Sequence, residues 1–312
     1  MIRAAVWATA AALLLSASAC LDTNITPPPA ATDEGGVIVF ASNRTDNNYE
    51  IYRVGADGRG LSRLTNAPES NDRSPVLSHD GSRIAWEREI STTSGDFTAV
   101  EIWTMNADGS DAKVAVRNGS FNRSPSWGPS GDIVFSSRLT GSDQIYRLAP
   151  GATDPVRLTT GGAADQNPRF SPDGLRIVFQ SNRGLDFDIY VMNSDGSSVS
   201  NLTQLRGDDR FPTWTPDGGR VVWTRFDGEV NGFDLYSIEA AGGAATPIVA
   251  TEFNELAPSV SPDGESVVYQ TDRSPPFGLY IAPLSGGPGR PLRPDNASAT
   301  GSDLGPWWGP AR

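Results

Sequence analysis

The 312-residue chain contains one cysteine, one histidine and one lysine. Each scarcity removes a class of chemistry. Cys20 alone cannot close an internal disulfide, so an exported domain built from this chain must be stable without one. With His79 as the single histidine, zinc and haem sites that need several His or Cys ligands are excluded. A Ser-His-Asp triad lacks a base as well: His79 stands in a turn where proline is usual, and no Gly-x-Ser-x-Gly elbow occurs. One lysine, Lys113, in a chain of net charge −12 argues against a nucleic-acid backbone as partner, and the acidity reads as solubility. No dense Asp-x-Asp-x-Asp-Gly run marks a calcium loop. No cofactor and no metal site is expected. Apolar runs long enough for a stable membrane span are also lacking.

The one sustained apolar run is at the start. Residues 1–19 place Arg3 before alanine- and leucine-rich sequence and small residues, the pattern of a secretory signal. Ala17-Ser18-Ala19-Cys20 resembles a bacterial lipobox, which implies cleavage before Cys20 and lipidation there. Residues 20–36, with Pro27 to Pro29, read as a flexible tether. The expected address is an exported lipoprotein of the outer membrane, on its periplasmic side or at the cell surface.

Glycine (33) and proline (24) are plentiful, and they fall at repeated places. The strand Ile38-Val39-Phe40 recurs as Ile84-Ala85-Trp86, Ile133-Val134-Phe135, Ile177-Val178-Phe179, Val221-Val222-Trp223 and Val267-Val268-Tyr269. The steps between the aromatic residues at 40, 86, 135, 179, 223 and 269 are 46, 49, 44, 44 and 46. A turn precedes this strand, as in Ser171-Pro172-Asp173-Gly174, where proline pre-sets φ and glycine closes the bend. A further strand follows, as in Asp188-Ile189-Tyr190. Apolar residues stand consecutively rather than alternating, so these strands must be buried on both faces. Short strands in repeats of roughly 40–50 residues match the blades of a β-propeller. The expected fold is all-β: a six-bladed propeller of four-stranded blades over residues 37–312. The first copy lacks an initial strand, and Gly305-Pro306-Trp307-Trp308-Gly309-Pro310 resembles the missing piece. Its pairing with the N-terminal three strands would close the ring and remove an open edge.

The sequence Pro-x-Phe-Ser-Pro-Asp-Gly, Ile-x-Phe-x-Ser-x-Arg and Asp-Ile-Tyr-x-Met, read from Pro168 onward, resembles the TolB-type (PD40, WD40-like) propeller repeat. The resemblance covers about residues 37–312 and implies that the first strand of each blade is innermost. TolB carries an α/β domain before its propeller, whereas only some fifteen residues separate the leader from the first strand here. Pectate-type lyases with similar propellers use several metal-binding histidines, a pattern one histidine excludes. The sialidase box Ser-x-Asp-x-Gly-x-x-Trp does not match, because Asp and Gly are adjacent here.

What repeats in every blade reads as structure; what differs reads as function. Arg44, Arg88, Arg138, Arg183, Arg225 and Arg273 all follow the second strand and are expected to pair with carboxylates between blades. Residues just before or at the start of the innermost strand vary. Asp72, Arg73, Asn122, Arg123, Asp165, Asn167, Asp209, Arg210, Glu255 and Asp303 are therefore expected to ring the channel mouth and bind a partner. Two loops on that face are longer, Glu89 to Val100 and Phe226 to Phe233, and offer Phe97, Phe226 and Phe233 as exposed aromatics. The expected role is non-enzymatic binding of an envelope protein, peptide or cell-wall-associated ligand. A glycan hydrolase using Asp165, Asp209 or Glu255 is the competing expectation, since such chemistry needs only two carboxylates. A purely structural envelope protein is the third.

Overall fold

A computed structural model of the chain describes residues 35–310, apart from positions 46, 92–96, 205, 227, 229–231, 274–275 and 293–300. The signal, Cys20 and most of the tether lie outside the described residues. The described residues form one compact unit.

The Ser-Pro-Asp-Gly segments set the repeat. In each, the glycine N–H returns to the first residue's carbonyl: Gly174 to Ser171 at 2.8 Å, Gly218 to Thr215 at 2.9 Å and Gly264 to Ser261 at 2.9 Å. Gly174 has a φ of +72°, which a side chain would resist, and a Cβ there would press on Pro129 at 2.7 Å. Ser171 Oγ accepts the Arg176 N–H at 2.9 Å and ties the turn to the next strand.

From these turns the chain builds six antiparallel sheets of four strands each. The innermost strands are Asp303–Gly309, Asp72–Leu77, Asn122–Trp127, Asp165–Phe170, Asp208–Trp214 and Glu255–Val260, and each touches the next in a closed ring. Numbered in that order, blades 2 to 6 are continuous in sequence. Blade 1 joins the two ends of the propeller: Asp303–Gly309 pairs with Val37–Ser42, with Val37 opposite Gly309 and Ser42 opposite Asp303. The expected closure is present and leaves no inner edge unpaired.

The second strands are buried along their length, Val37–Ser42 throughout. Their side chains pack into the blades on either side. Val39 and Ile51 of blade 1 share a cluster with Ile84, Trp86 and Met105 of blade 2, while Phe40 and Val54 share another with Val268 and Ile281 of blade 6. The core thus lies between blades, which is why both faces of each strand are apolar.

Within every blade the second and third strands oppose two aromatic rings, 5.8 to 6.2 Å apart from Phe179–Tyr190 to Tyr269–Tyr280. Such a pair contributes roughly 0.5–1.5 kcal/mol beyond its buried area. In five blades the repeated arginine lies over one or both of these rings, while Arg138 of blade 3 lies over Phe121 instead. Arg88 is 4.3 Å from the Trp103 ring, Arg183 4.9 Å from Tyr190 and Arg44 5.2 Å from Tyr52. Its carboxylate belongs to the same blade, not a neighbour. Arg88 takes Asp72 at 2.7 Å through two nitrogens, Arg183 takes Asp165 at 2.7 Å and Arg44 takes Asp303 at 2.6 Å. The expected inter-blade pairing is corrected accordingly: the register of the first hairpin sets Asp72 directly opposite Arg88.

Candidate functional site: the axial channel

A residue at the start of each innermost strand points into its own blade. Asp72, Asn122, Asp165, Asp209, Glu255 and Asp303 are all buried. Three hold the arginines just described. Asn122 Nδ2 donates to Val100 O and Asn118 Oδ1, both at 2.9 Å. Asp209 accepts Trp223 Nε1 at 2.8 Å, and burial pushes its carboxyl up to about 6. Glu255 accepts Thr251 Oγ1, and burial pushes it up to about 7. These six side chains latch strands together and present little surface to the mouth.

The next residues keep more surface. Arg123 is exposed, while Arg73 and Arg210 are half-buried. Arg73 lies 4.0 Å from the Tyr49 ring and 3.5 Å from Glu89; Arg210 lies 4.3 Å from the Phe187 ring and donates to Asp208 at 3.1 Å. In the longer loops, Phe226 and Phe233 face each other at 5.2 Å. The side chain of Phe97 lies outside the described residues.

One position further on, every innermost strand kinks. Ser74, Ser124, Asn167, Phe211, Ala257 and Gly305 have φ between +50° and +55°, and a proline follows each. Pairing with the second strand skips a residue there, as between Arg73 and Val76. An L residue in this region costs about 1–2 kcal/mol, and the closed ring of blades holds five of them. Side chains from the preceding blade cap alternate N–H groups. Glu87 accepts from Ser124 at 2.6 Å, Gln180 from Phe211 at 2.9 Å and Gln270 from Gly305 at 2.7 Å. In the other three blades the equivalent residues are Ala41, Ser136 and Thr224, too short to do the same. A three-fold alternation is thereby written onto six blades.

Two residues beyond the kink the side chains reach the axis. That position carries Val76, Ser126, Arg169, Thr213, Ser259 and Trp307. Five are uncharged; Arg169 is the cation. Its Nη1 donates to Pro125 O at 2.8 Å, and its guanidinium carbon lies 5.1 Å from the Trp307 ring centre. Arg169 is half-buried. Loss of water lowers its pKa to about 10, with Glu87 acting weakly against that shift.

Arg169 and Trp307 line two chambers along the axis. One, of about 320 Å³, lies on the kinked side beside Asn167, Phe211 and Leu304. The other, of about 300 Å³, lies among Trp127, Phe170, Trp214 and the Ser-Pro-Asp-Gly turns. No carboxylate lines either chamber among the described residues. A larger open groove of about 730 Å³ lies on the turn side by His79 and Lys113. No group of three or more His, Cys, Asp or Glu gathers as metal ligands would among the described residues.

Fold and channel define a closed six-bladed propeller with a cation at its axis, and comparison with known proteins specifies the type further. The chain is 32% identical over 160 residues to a TolB homologue of Chlorobium luteolum, and 34% identical over 120 residues to the Tol-Pal system protein TolB of Anaeromyxobacter dehalogenans. These stretches are 51% and 36% of this chain, but only 34% and 26% of those relatives. The crystal structure of TolB from Acinetobacter baumannii superposes with a TM-score of 0.76 at 22% identity, over 90% of this chain and 68% of that one. No protein-family model matches. The chain is a TolB-like β-propeller protein.

Proposed function

We propose that the protein is an exported envelope propeller that works by binding, docking a protein partner on the kinked face around the channel mouth. One observation carries this reading. In a chain of net charge −12, the side chains that follow the buried latches in three blades are Arg73, Arg123 and Arg210. They surround a mouth lined by Pro75, Pro212, Pro258 and the 36%-exposed Phe211. A basic rim around an apolar entrance suits an acidic or carboxylate-bearing protein surface. The similarity to Tol-Pal system proteins supports an envelope partner. Cys20 would carry the lipid anchor and residues 21–36 the tether, leaving the propeller free to reach across the envelope.

The hydrolase alternative is less well supported by the geometry. Asp165 holds Arg183, Asp209 holds Trp223 and Glu255 holds Thr251, so none of the three faces a chamber. The test is in-cell crosslinking and capture of the full-length protein beside an Arg123→Ala/Arg210→Ala version. Docking through this face predicts a partner recovered with the first and depleted with the second, at equal melting temperature. Equal recovery would place docking elsewhere.

A further inference from the structure

Arg169 has a place unlike that of the other repeated arginines. Those end the second strand, lie over aromatic rings, and in blades 1, 2 and 4 hold the carboxylate at the start of the innermost strand. Arg169 instead projects from the middle of an innermost strand, and no carboxylate is within ion-pair distance of it among the described residues. Its hydrogen bonds are to the carbonyls of Pro125 and Pro168, at 2.8 and 3.4 Å. Two neutral carbonyls leave a five-donor guanidinium with capacity to spare. A partly desolvated cation with no ion-pair partner is well placed to take an anion.

The surroundings define what that anion must look like. Among the described residues the kinked-side chamber is lined by two arginines, Arg73 and Arg169, and no acid, although the chain has 37 acidic residues. Glu87, whose charge acts on Arg169, is committed to the Ser124 N–H at 2.6 Å, and burial pushes its own carboxyl up. The apolar part of the wall includes Pro212, Pro258, Phe211, Leu304 and Trp307, and the neutral polar part is Ser74, Ser124, Asn167 and Gln270. At about 320 Å³ the chamber holds a group the size of one or two amino-acid residues, with the cation at its floor. Arginine offers two parallel donors matched to the two oxygens of a carboxylate.

We infer that this chamber is a carboxylate site: it receives a carboxylate borne on a compact apolar group, with the oxygens on Arg169 and the apolar part against Phe211, Leu304 and Trp307. Both the C-terminal residue of a peptide chain and a free small acid have this chemistry. The inference deepens the docking reading, because such a terminus would enter through the face proposed for the partner.

The test is calorimetric titration of the full chain with N-acetyl-alanyl-phenylalanine, with the same dipeptide as its C-terminal amide, and with 3-phenylpropionate. The acid dipeptide is expected to bind about 10- to 100-fold more tightly than the amide, the worth of a charge-assisted hydrogen bond to a partly desolvated arginine. Binding of the dipeptide acid alone would assign the site to a chain terminus; binding of 3-phenylpropionate as well would show that a small acid suffices. Arg169→Met should abolish the preference for acid over amide. It replaces a half-buried charge that has no ion-pair partner with an apolar chain of similar length, so its melting temperature should not fall. Equal affinity for acid and amide in the unaltered protein, or no binding of either, overturns the inference without reference to any variant. A preference that survives in Arg169→Met overturns it too. Carboxylate binding with no captured envelope partner would fault the docking reading alone. A captured partner with no carboxylate binding would fault this site alone.

Discussion

Replacing Asp72 by alanine separates a latch from a ligand. Asp72 is fully buried and grips Arg88 through two hydrogen bonds of 2.7 Å, while Arg88 lies 4.3 Å from the Trp103 ring. Without Asp72 the guanidinium, whose side chain is 16% exposed, keeps its aromatic contact but loses its counter-ion. Breaking a buried pair by removing one partner costs about 3–5 kcal/mol. For a domain of this size each kcal/mol moves the midpoint by about 2–4 °C, so Asp72→Ala should lower Tm by on the order of 10 °C. Lys113→Ala is the control. Lys113 meets Asp111 at 3.0 Å with both side chains more than half exposed, a kind of pair worth about 0–1 kcal/mol. Scanning calorimetry of the two variants beside the parent measures the difference. Adding Arg88→Met to Asp72→Ala should recover part of the loss, since an apolar pair leaves no stranded charge. A Tm for Asp72→Ala no lower than that of Lys113→Ala would refute the latch assignment and return Asp72 to the rim.

Further outcomes follow from the same geometry. Burial raises Glu255 from 4.5 to about 7, with Asp234 adding to the shift and Arg273 opposing it. The folded protein therefore holds a proton that the unfolded chain releases, so this contribution is full below pH 4.5 and is lost as pH rises to 7. Thermal melts across that window should show a shallower dependence on pH in Glu255→Gln than in the parent. Ending the chain at Ser302 removes the strand Asp303–Gly309 and exposes Val37–Ser42 as an apolar edge; size-exclusion chromatography should show aggregate in place of monomer. Cys20→Ser should abolish incorporation of labelled palmitate and release the protein from membranes, if Cys20 is the anchor.

Much of the architecture was legible because propellers bury each sheet on both faces. Consecutive apolar residues such as Ile177-Val178-Phe179 cannot belong to a half-exposed strand, and their return at near-constant spacing gives the blade count. Trp307-Trp308 at the far end revealed the closing strand because it repeats the Pro-x-Trp pattern of blade 3. The channel was harder to read. Polar residues such as Asp72 and Asp165 look like rim residues in sequence, because nothing local shows that the first hairpin brings an arginine onto them. The pairing also crosses only 16 residues, Asp72 to Arg88, whereas a repeated charge in a ring suggests contacts between neighbours. Arg169 was hidden inside the repeat itself. It occupies the x of Pro-x-Phe, and only comparison of that position across blades singles it out: Val76, Ser126, Arg169, Thr213, Ser259 and Trp307. The alternation of Glu87, Gln180 and Gln270 with Ala41, Ser136 and Thr224 was equally present in the sequence. Its meaning depends on the kinked N–H groups of the next blade, which only the assembled ring brings within reach.

The reading of this protein as a docking module is tested most directly by capture from living cells. Full-length protein and its Arg123→Ala/Arg210→Ala version are expressed at matched levels, crosslinked and purified under denaturing conditions. The account predicts an envelope protein that crosslinks to the first and is depleted from the second, while both versions melt at the same temperature. The same partner recovered equally with both versions would contradict it.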